Sequence, residues 1–236
     1  MNRLYVPTMG PSDWRRLLAD PKRQWREKRS AYEAAVAWES ARSSARGLPS
    51  NIATVLDASD AFKGASLLLG LPEHQVALDG GGHASQTDLW ALFSAPAGVV
   101  SVSIEAKAGE PFAETVETWL LGAKASSGKP ARLKQLCKLW GVSESAVQQC
   151  RYQLMHRPAV AVLEAKRFGL KTALFLVHAF GDNESSLTDY ATWRRALGID
   201  TLHNGLQRAG EYDGVTLWTA WVSSASASEA MVRAAL

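Results

Sequence analysis

A mainly apolar run, followed by a run of alternating apolar and polar side chains, predicts two neighbouring strands near the middle of the chain. Residues 87–93 form the first, residues 99–107 form the second, and the turn-forming residues 95–98 separate them. An antiparallel hairpin with this loop places Asp88 directly opposite Glu105. Cross-strand partners have Cβ atoms about 5 Å apart, so the pattern predicts two carboxylates side by side on one face of a sheet.

Side chains on the second strand divide into an apolar face and a polar face. Because residues two apart share a face of a strand, the apolar set predicts the core and the polar set projects to the other side. The core-facing set is Val100, Val102 and Ile104, and the other set is Ser101, Ser103, Glu105 and Lys107. Glu105 and Lys107 are therefore expected to point in the same direction.

The rest of the pattern predicts helices and strands in alternation. Before the hairpin we expect a short helix at 14–19, a helix from the Ser30-to-Glu33 capping box to about Arg46, a helical or mixed segment at 49–71 and a strand at 75–79. After it we expect helices at 111–121, 131–140 and 143–168, the last interrupted by Pro158, and strands at 171–178 and 216–222. The glycines Gly80 to Gly82 are expected to be a flexible connection.

This order predicts an α/β (α+β) fold with a mixed central sheet flanked by helices. A chain of 236 residues with 47% hydrophobic content can bury the core of a single domain over 1–236. We expect an N-terminal helical segment at 1–46 and an α/β core at 47–222. Trp90 lies on the Asp88 face of its strand, where it could line a site or stack on a base, although core packing is the commoner role of such aromatics.

Composition and charge narrow the class of protein. The sequence contains no run of eighteen apolar residues and no signal peptide, which predicts a cytoplasmic protein without a membrane partner. Cys137 and Cys150 are expected to be buried free thiols. The first 46 residues carry ten Lys/Arg against five Asp/Glu, within a net charge of +3. This basic segment could help to hold a polyanion such as DNA or RNA, and solvated helix faces explain it equally well.

Asp88, Glu105 and Lys107 together indicate metal-dependent chemistry on a phosphate ester. Two adjacent carboxylates repel unless a cation or a proton lies between them, and Mg²⁺ or Mn²⁺ prefers oxygen ligands. A lysine one residue beyond such a ligand can orient an attacking water. The alternative is an ordinary solvated strand face. Glu39, on the edge of the predicted second helix, is a candidate third metal ligand or an exposed acid.

A second polar cluster lies at 151–157. Gln153, His156 and Arg157 fall within one helical turn, so they share a face that could point toward the hairpin. Arg157, His156 and Arg151 are candidate substrate contacts, since the arginine fork suits phosphate, and Gln153 is a candidate catalytic residue. The alternative is that Arg157 pairs with a surface acid and that His156 is a satisfied, partly buried group.

The order helix, strand, strand, strand, helix, strand resembles the PD-(D/E)xK nuclease superfamily. The resemblance covers roughly residues 30–180, with Thr87 where the superfamily name has proline. It implies a restriction-endonuclease-like core, with Asp88 as the first acid, Glu105 as the second and Lys107 as the lysine. It also implies that Glu39 matches an acid on the first helix and that Gln153 matches a glutamine of the later helix.

More closely, the chain resembles a bacterial family of unknown function. The shared motifs are Asp88, the stretch Val-Ser-Ile-Glu-Ala-Lys-x-x-Glu-Pro-Phe at 102–112 and the stretch Arg-Tyr-Gln-Leu-x-His-Arg at 151–157. This resemblance covers most of the chain and supplies no activity.

Three hypotheses follow for function. The first is a Mg²⁺- or Mn²⁺-dependent phosphodiesterase acting on DNA or RNA. The second is a catalytically inactive, nuclease-like binding or regulatory protein, which an ion pair between Lys107 and Glu105 or Asp88 in a closed, metal-free pocket would favour. The third is a hydrolase of small phosphate esters. The oligomeric state stays open, with a homodimer as one candidate.

Overall fold

A computed structural model describes residues 8–124, 126–199 and 205–227 of the chain. Six strands form one sheet in the order β1-β2-β3-β4-β6-β5. The strands are β1 Ser66–Val76, β2 Ser85–Ala95, β3 Gly98–Lys107, β4 Thr172–Phe180, β5 Gln207–Tyr212 and β6 Val215–Ser224. The helices are α1 Pro21–Gln24, α2 Ser30–Ala41, α3 Ser50–Asp57, α4 Val116–Leu120, α5 Gly128–Trp140, α6 Tyr152–Arg167 and α7 Glu184–Ala196, with 3₁₀ turns at Pro11–Leu17 and Ser145–Val147.

The sheet is mixed and has helices on both faces, which confirms the predicted fold class. β1, β2 and β3 are antiparallel neighbours, whereas β4 is parallel to both β3 and β6. Every residue of β4 is buried, because a central parallel strand has both of its faces covered. The chain passes from β3 to β4 through α4, α5 and α6, so the parallel pair is joined by a helical crossover.

Two apolar clusters fill the spaces on either side of the sheet. One lies between the sheet and helices α5, α6 and α7, and includes Leu136, Leu154 and Trp193. The other lies between the sheet and the segment containing α2 and α3, and includes Trp38 and Ile52. Alternate residues of β3 divide between these two sides, as its pattern predicted. Val100, Val102 and Ile104 belong to the second cluster.

The central hairpin has the predicted register. Ser94 pairs with Val99 and Leu89 pairs with Ile104. Its strands run further into the turn than expected, since Ala95 also pairs with Gly98. The polar face of β3 is not solvated, because Ser101, Ser103, Glu105 and Lys107 are all buried under α6 or in the adjoining cavity.

Several predicted boundaries are wrong. The first strand begins at Ser66 rather than at Gln75, because Leu67 packs into the core from a sheet edge. α2 ends at Ala41 rather than at about Arg46, and its N-cap is Arg29 rather than Ser30, with no capping hydrogen bond from the Arg29 side chain. The carboxylate of Glu33 instead accepts the backbone N–H groups of Lys28 and Ala227.

Other differences concern the later helices and strands. α6 continues through Pro158 as one helix, while the predicted helix at 111–121 is limited to Val116–Leu120. α7 and β5 were not predicted. α5 ends as expected at Gly141, which has φ of 66°. Among the described residues, no helix has the length and apolar content needed to cross a membrane.

Candidate active site

A cavity of about 680 Å³ lies where β1, β2 and β3 approach the start of α6. Each strand contributes one acid to its lining: Glu73 from β1, Asp88 from β2 and Glu105 from β3. Lys107 of β3 and Arg157 of α6 also line it. The fold therefore gathers three carboxylates and two cations from four elements that are separated along the chain.

The carboxylate of Glu105 is bound on both sides by cations. Lys107 Nζ lies 2.6 Å from Oε1, and Arg157 Nε lies 2.9 Å from Oε2. Only 2% of the Glu105 side chain is exposed, so both interactions are shielded from water. Lys107 also donates a hydrogen bond of 3.3 Å to Gln153 Oε1 and lies 4.6 Å from the centroid of the Phe112 ring. The amine is thus held between β3 and α6.

Asp88 is fixed by the strand that it faces. Its Oδ2 accepts a hydrogen bond of 2.6 Å from the backbone N–H of Ala106. Burial, together with the nearby charge of Glu105, raises the pKa of Asp88 to about 7, against the opposing effects of Lys107 and Arg157. At neutral pH this carboxyl group is therefore partly protonated.

Glu73 is a third acid of the cavity that the sequence analysis missed. It lies between Pro72, which pairs with Leu89, and His74, which pairs with Thr87, so it occupies the position beside Asp88. Burial and the charge of Asp88 raise the pKa of Glu73 to about 8, despite a hydrogen bond of 2.7 Å from Gln86.

The backbone of Glu73 has an unusual conformation. Its φ of 55° lies in the left-handed region, which costs a residue other than glycine about 1 kcal/mol or more. If the first strand had been predicted at 66–76, its antiparallel pairing with the next strand would have placed Glu73 beside Asp88. Because the strand was predicted at 75–79, Glu73 lay outside it and was not recognised.

Helix α6 presents its polar face to the cavity, as the spacing of its residues allowed. Gln153, His156 and Arg157 all line the cavity. Gln153 contacts Lys107, and Arg157 contacts Glu105. Arg157 is therefore paired with a buried acid of the cavity rather than with a surface acid. Its Nη1 atom is buried and makes no hydrogen bond within the described part of the chain.

His156 is held in a neutral form at the edge of the cavity. Its Nδ1 lies 2.7 Å from the Ser85 hydroxyl. Burial lowers the pKa of His156 well below its usual value, and the charges of Arg157, Arg132 and Lys107 lower it further. A neutral imidazole can position a neighbour by hydrogen bonding, but it adds no positive charge for a phosphate.

Two predicted site residues and one aromatic lie elsewhere. The Glu39 carboxylate accepts a hydrogen bond of 2.8 Å from Trp14 Nε1 and pairs with Arg42 at 3.4 Å, so this acid stabilises the N-terminal segment instead of lining the cavity. Arg151 pairs with Asp189 at 2.9 Å and does not line the cavity. Trp90 is buried against Phe168, with its indole N–H bonded to Ser101.

The N-terminal segment covers one side of the cavity. Arg23 and Arg29 contribute to its lining. Glu110, in the cavity wall, accepts the backbone N–H groups of Ser30 and Ala108 at 2.9 and 2.8 Å. Burial raises the pKa of Glu110, but these hydrogen bonds outweigh it and bring the pKa below its usual value. Glu110 therefore attaches the basic segment to the end of β3 as an ionised carboxylate.

The chemistry of the donor set suits a hard divalent cation. Glu73, Asp88 and Glu105 bring oxygen ligands. Burial, and after it their mutual repulsion, raises the pKa of Glu73 and of Asp88, and a bound cation would relieve that repulsion. Within residues 8–124, 126–199 and 205–227, no group of three or more His, Cys, Asp or Glu side chains is already arranged around a metal position. Binding would therefore require Glu105 to release one of its two cations.

The sequence of the chain matches one protein family. The family model described as a domain of unknown function, DUF6946, matches residues 7–226. The chain belongs to this family. That match includes every residue of the cavity and agrees with the resemblance to a family of unknown function. No curated protein and no solved structure matches the chain.

Proposed function

We propose that this DUF6946 protein hydrolyses phosphodiester bonds of nucleic acid with a divalent metal bound in the carboxylate cavity. The observation that carries the proposal is the convergence of Glu73, Asp88 and Glu105 with Lys107 at the ends of three adjacent strands. Holding one buried and two partly buried acids in a single cavity is costly for folding, and such an arrangement is typical of a functional site.

The topology around the cavity supports the same proposal. The chain forms three antiparallel strands, then a helical crossover and a fourth strand parallel to the third, an element order that resembles the one expected for the PD-(D/E)xK superfamily. Asp88 lies on the second of these strands, and Glu105 and Lys107 lie on the third. The basic residues Arg23 and Arg29 at the cavity wall suit a polyanionic substrate.

The residues of the cavity then have separate roles in hydrolysis. Asp88 and Glu105, with Glu73 beside them, would hold Mg²⁺ or Mn²⁺, which polarises a phosphoryl oxygen and lowers the pKa of bound water. The ammonium of Lys107, already positioned by Gln153, would orient the attacking water. Arg157 would donate to a non-bridging phosphate oxygen. The attacking water gives up a proton to solvent as its oxygen forms the new bond to phosphorus, the bond to the leaving oxygen breaks, and the leaving oxygen takes up a proton from solvent.

A second candidate function is favoured by the ion pairs of Glu105. Because Lys107 and Arg157 both form ion pairs with this carboxylate, the charges of the cavity are balanced without a metal, as a metal-free anion-binding site requires. Protonation of Asp88 and Glu73 near neutral pH would leave the cations in excess. In that case the protein binds a phosphate-bearing partner without turnover.

Calorimetric titration of Mg²⁺ and Mn²⁺, paired with a cleavage assay on the same samples, separates the two candidates. Asp88→Asn and Glu105→Gln remove proposed ligands, and Glu39→Gln is the matched control, an acid outside the cavity. The hydrolase proposal expects metal binding and metal-dependent cleavage of single- or double-stranded DNA or RNA, both lost in the first two variants and retained in the control. Oligonucleotide binding with no metal uptake at millimolar concentration would instead support the binding protein.

A further inference from the structure

A second cavity, of about 480 Å³, adjoins the carboxylate cavity. The two share His83, Ala84 and His156 in their linings. The second cavity is otherwise walled by the glycine segment 80–82 and by the start of α5. Because this cavity adjoins the proposed reaction centre, a substrate bound there could extend into it.

The glycine segment is shaped to lie against α5. Gly80 has φ of 81°, and a Cβ atom at this position would overlap the carbonyl group of Gly128. Arg132 fixes the segment, because its guanidinium donates to the carbonyl oxygens of Asp79, Gly81 and His83. The glycines predicted to be a flexible connection therefore form the wall of a cavity.

The second cavity has two cations that no acid of the described residues neutralises. Lys129 and Arg132 line it, and their donors are bonded to neutral carbonyl groups, with Lys129 Nζ donating to Trp119. Among the described residues, neither cation forms an ion pair with a carboxylate. The first cavity differs, because its lysine and its α6 arginine are both paired with Glu105.

An additional donor lies in the same wall. The Tyr152 hydroxyl is buried close to the Arg132 side chain, which can only donate to its oxygen, and among the described residues no group accepts the Tyr152 O–H. Tyr152 stacks on Trp119 with ring centroids 3.8 Å apart, and Lys129 Nζ lies 5.2 Å from the centroid of the Trp119 ring. Two rigid rings thus hold the hydroxyl group and limit the movement of the lysine. A buried donor without a partner is satisfied by a ligand that brings an acceptor.

We propose that the second cavity binds the phosphate group next to the scissile one along a nucleic-acid strand. Lys129 and Arg132 would supply the charge, and Tyr152 would supply a hydrogen bond to a phosphate oxygen. The inference rests on the proposed function, since hydrolysis in the first cavity defines the scissile position. It assigns the protein a substrate with at least two consecutive phosphates, which excludes small monoesters as the preferred class.

Comparison of two substrates tests the assignment. Bis(p-nitrophenyl) phosphate carries one phosphodiester and no neighbouring phosphate, whereas a short single-stranded oligonucleotide carries several. Lys129→Gln is expected to raise KM for the oligonucleotide about tenfold, with kcat and the turnover of the small substrate unchanged. Lys134→Gln, which removes an exposed lysine from the same helix outside the cavity, is the control.

A binding measurement keeps the inference testable if wild type cleaves nothing. Fluorescence anisotropy of a labelled oligonucleotide is followed as salt is raised, for wild type, Lys129→Gln and Lys134→Gln. Loss of one phosphate contact reduces the slope of log affinity against log salt by about 0.7 for a single strand. This reduction in Lys129→Gln alone, without cleavage by any variant, would support the phosphate cavity and reject the hydrolase.

Other results would overturn the assignment. Equal losses with both substrates would show that Lys129 acts on the fold or the reaction centre. An unchanged KM and an unchanged salt slope in Lys129→Gln would show that substrate does not enter the second cavity. If Lys129→Gln does not fold, Tyr152→Phe replaces it and is expected to weaken oligonucleotide affinity about threefold to tenfold, with the small substrate again unaffected.

Discussion

Arg157 and Glu105 join helix α6 to strand β3, with Nε of the arginine 2.9 Å from Oε2 of the glutamate. Lys107 contacts the other oxygen at 2.6 Å, so one buried carboxylate balances two cations. Such a group stabilises the fold only while all of its members are present, because each is shielded from water. The same group occupies the centre of the proposed reaction site, which couples stability to function.

Removing the central charge should therefore destabilise the protein strongly. Glu105→Gln is expected to lower the free energy of unfolding by about 3–5 kcal/mol, because Lys107 and Arg157 lose their buried counter-charge. Denaturant unfolding measures the change. Glu211→Gln, at an exposed position of β5, serves as control and should shift stability by less than about 0.5 kcal/mol. A loss of that small size in Glu105→Gln would contradict the buried network.

Stability should fall as pH rises through the neutral range. The pKa values of Asp88 and Glu73 are raised to about 7 and about 8, so the folded protein binds more protons than the unfolded chain above about pH 4. The contribution of these groups is fully present below their ordinary pKa values. It is lost progressively as the pH rises through about 7 for Asp88 and about 8 for Glu73, and ionisation in the folded state is nearly complete only about one pH unit higher.

Replacing Asp88 or Glu73 with its neutral amide should reduce the dependence of stability on pH. Asp88→Asn and Glu73→Gln are each expected to raise the free energy of unfolding by about 1–3 kcal/mol at pH 8.5, with little change at pH 4. Thermal unfolding across pH checks this. A gain at pH 4 as large as that at pH 8.5 would mean that protonation is not the cause. If metal binds, addition of Mg²⁺ at pH 8.5 should stabilise wild type more than either variant.

Lys107 should matter for turnover more than for substrate affinity. Lys107→Met is expected to reduce kcat for phosphodiester hydrolysis by about 100-fold or more, because the group that orients water is removed. Lys63→Met, at an exposed position, should retain activity. Oligonucleotide affinity measured in parallel should change far less than kcat. A matching loss in affinity would assign Lys107 to substrate binding instead.

Glu39 should behave as a structural acid. Glu39→Gln is expected to cost about 1–2 kcal/mol of stability, because the charged acceptor of Trp14 and the partner of Arg42 is lost. Metal affinity and cleavage should be unchanged. A loss of metal binding without a loss of stability would restore Glu39 as a ligand.

The local sequence pattern was sufficient to predict those features that depend on a single strand, turn or helix. Strict alternation identified β3 and the side of the sheet to which each of its residues turns. The turn residues set the hairpin register, and the apolar run at 171–178 identified the buried strand β4. In α6, spacings of three and four placed Gln153, His156 and Arg157 on one face. These signals lie within a few residues of one another, so chain geometry alone fixes them.

The tertiary structure decided which of these faces meet. β1 was misplaced because Leu67 to Leu69 fit a helix or a strand equally well when read alone, and Glu73 was lost with it. Glu39 is neither of the two things expected of it, a third metal ligand or an exposed acid. An acid on a helix edge can face the sheet, solvent or its own segment, and contact with Trp14 buries this one in its own segment. The glycine segment became a cavity wall only through its contact with α5.

The sequence by itself determined the hairpin, its two carboxylates and the polar face of α6. Only the tertiary structure decided that Glu105 is shared by Lys107 and Arg157 and that Glu73 completes the acid cluster. It also decided that Lys129 and Arg132 have no acidic partner in the part of the chain that the structure describes. The physical reason is the separation along the chain of the residues that interact. Strand and helix periodicity act over neighbouring residues, whereas ion pairing and burial depend on elements distant along the chain that packing brings together.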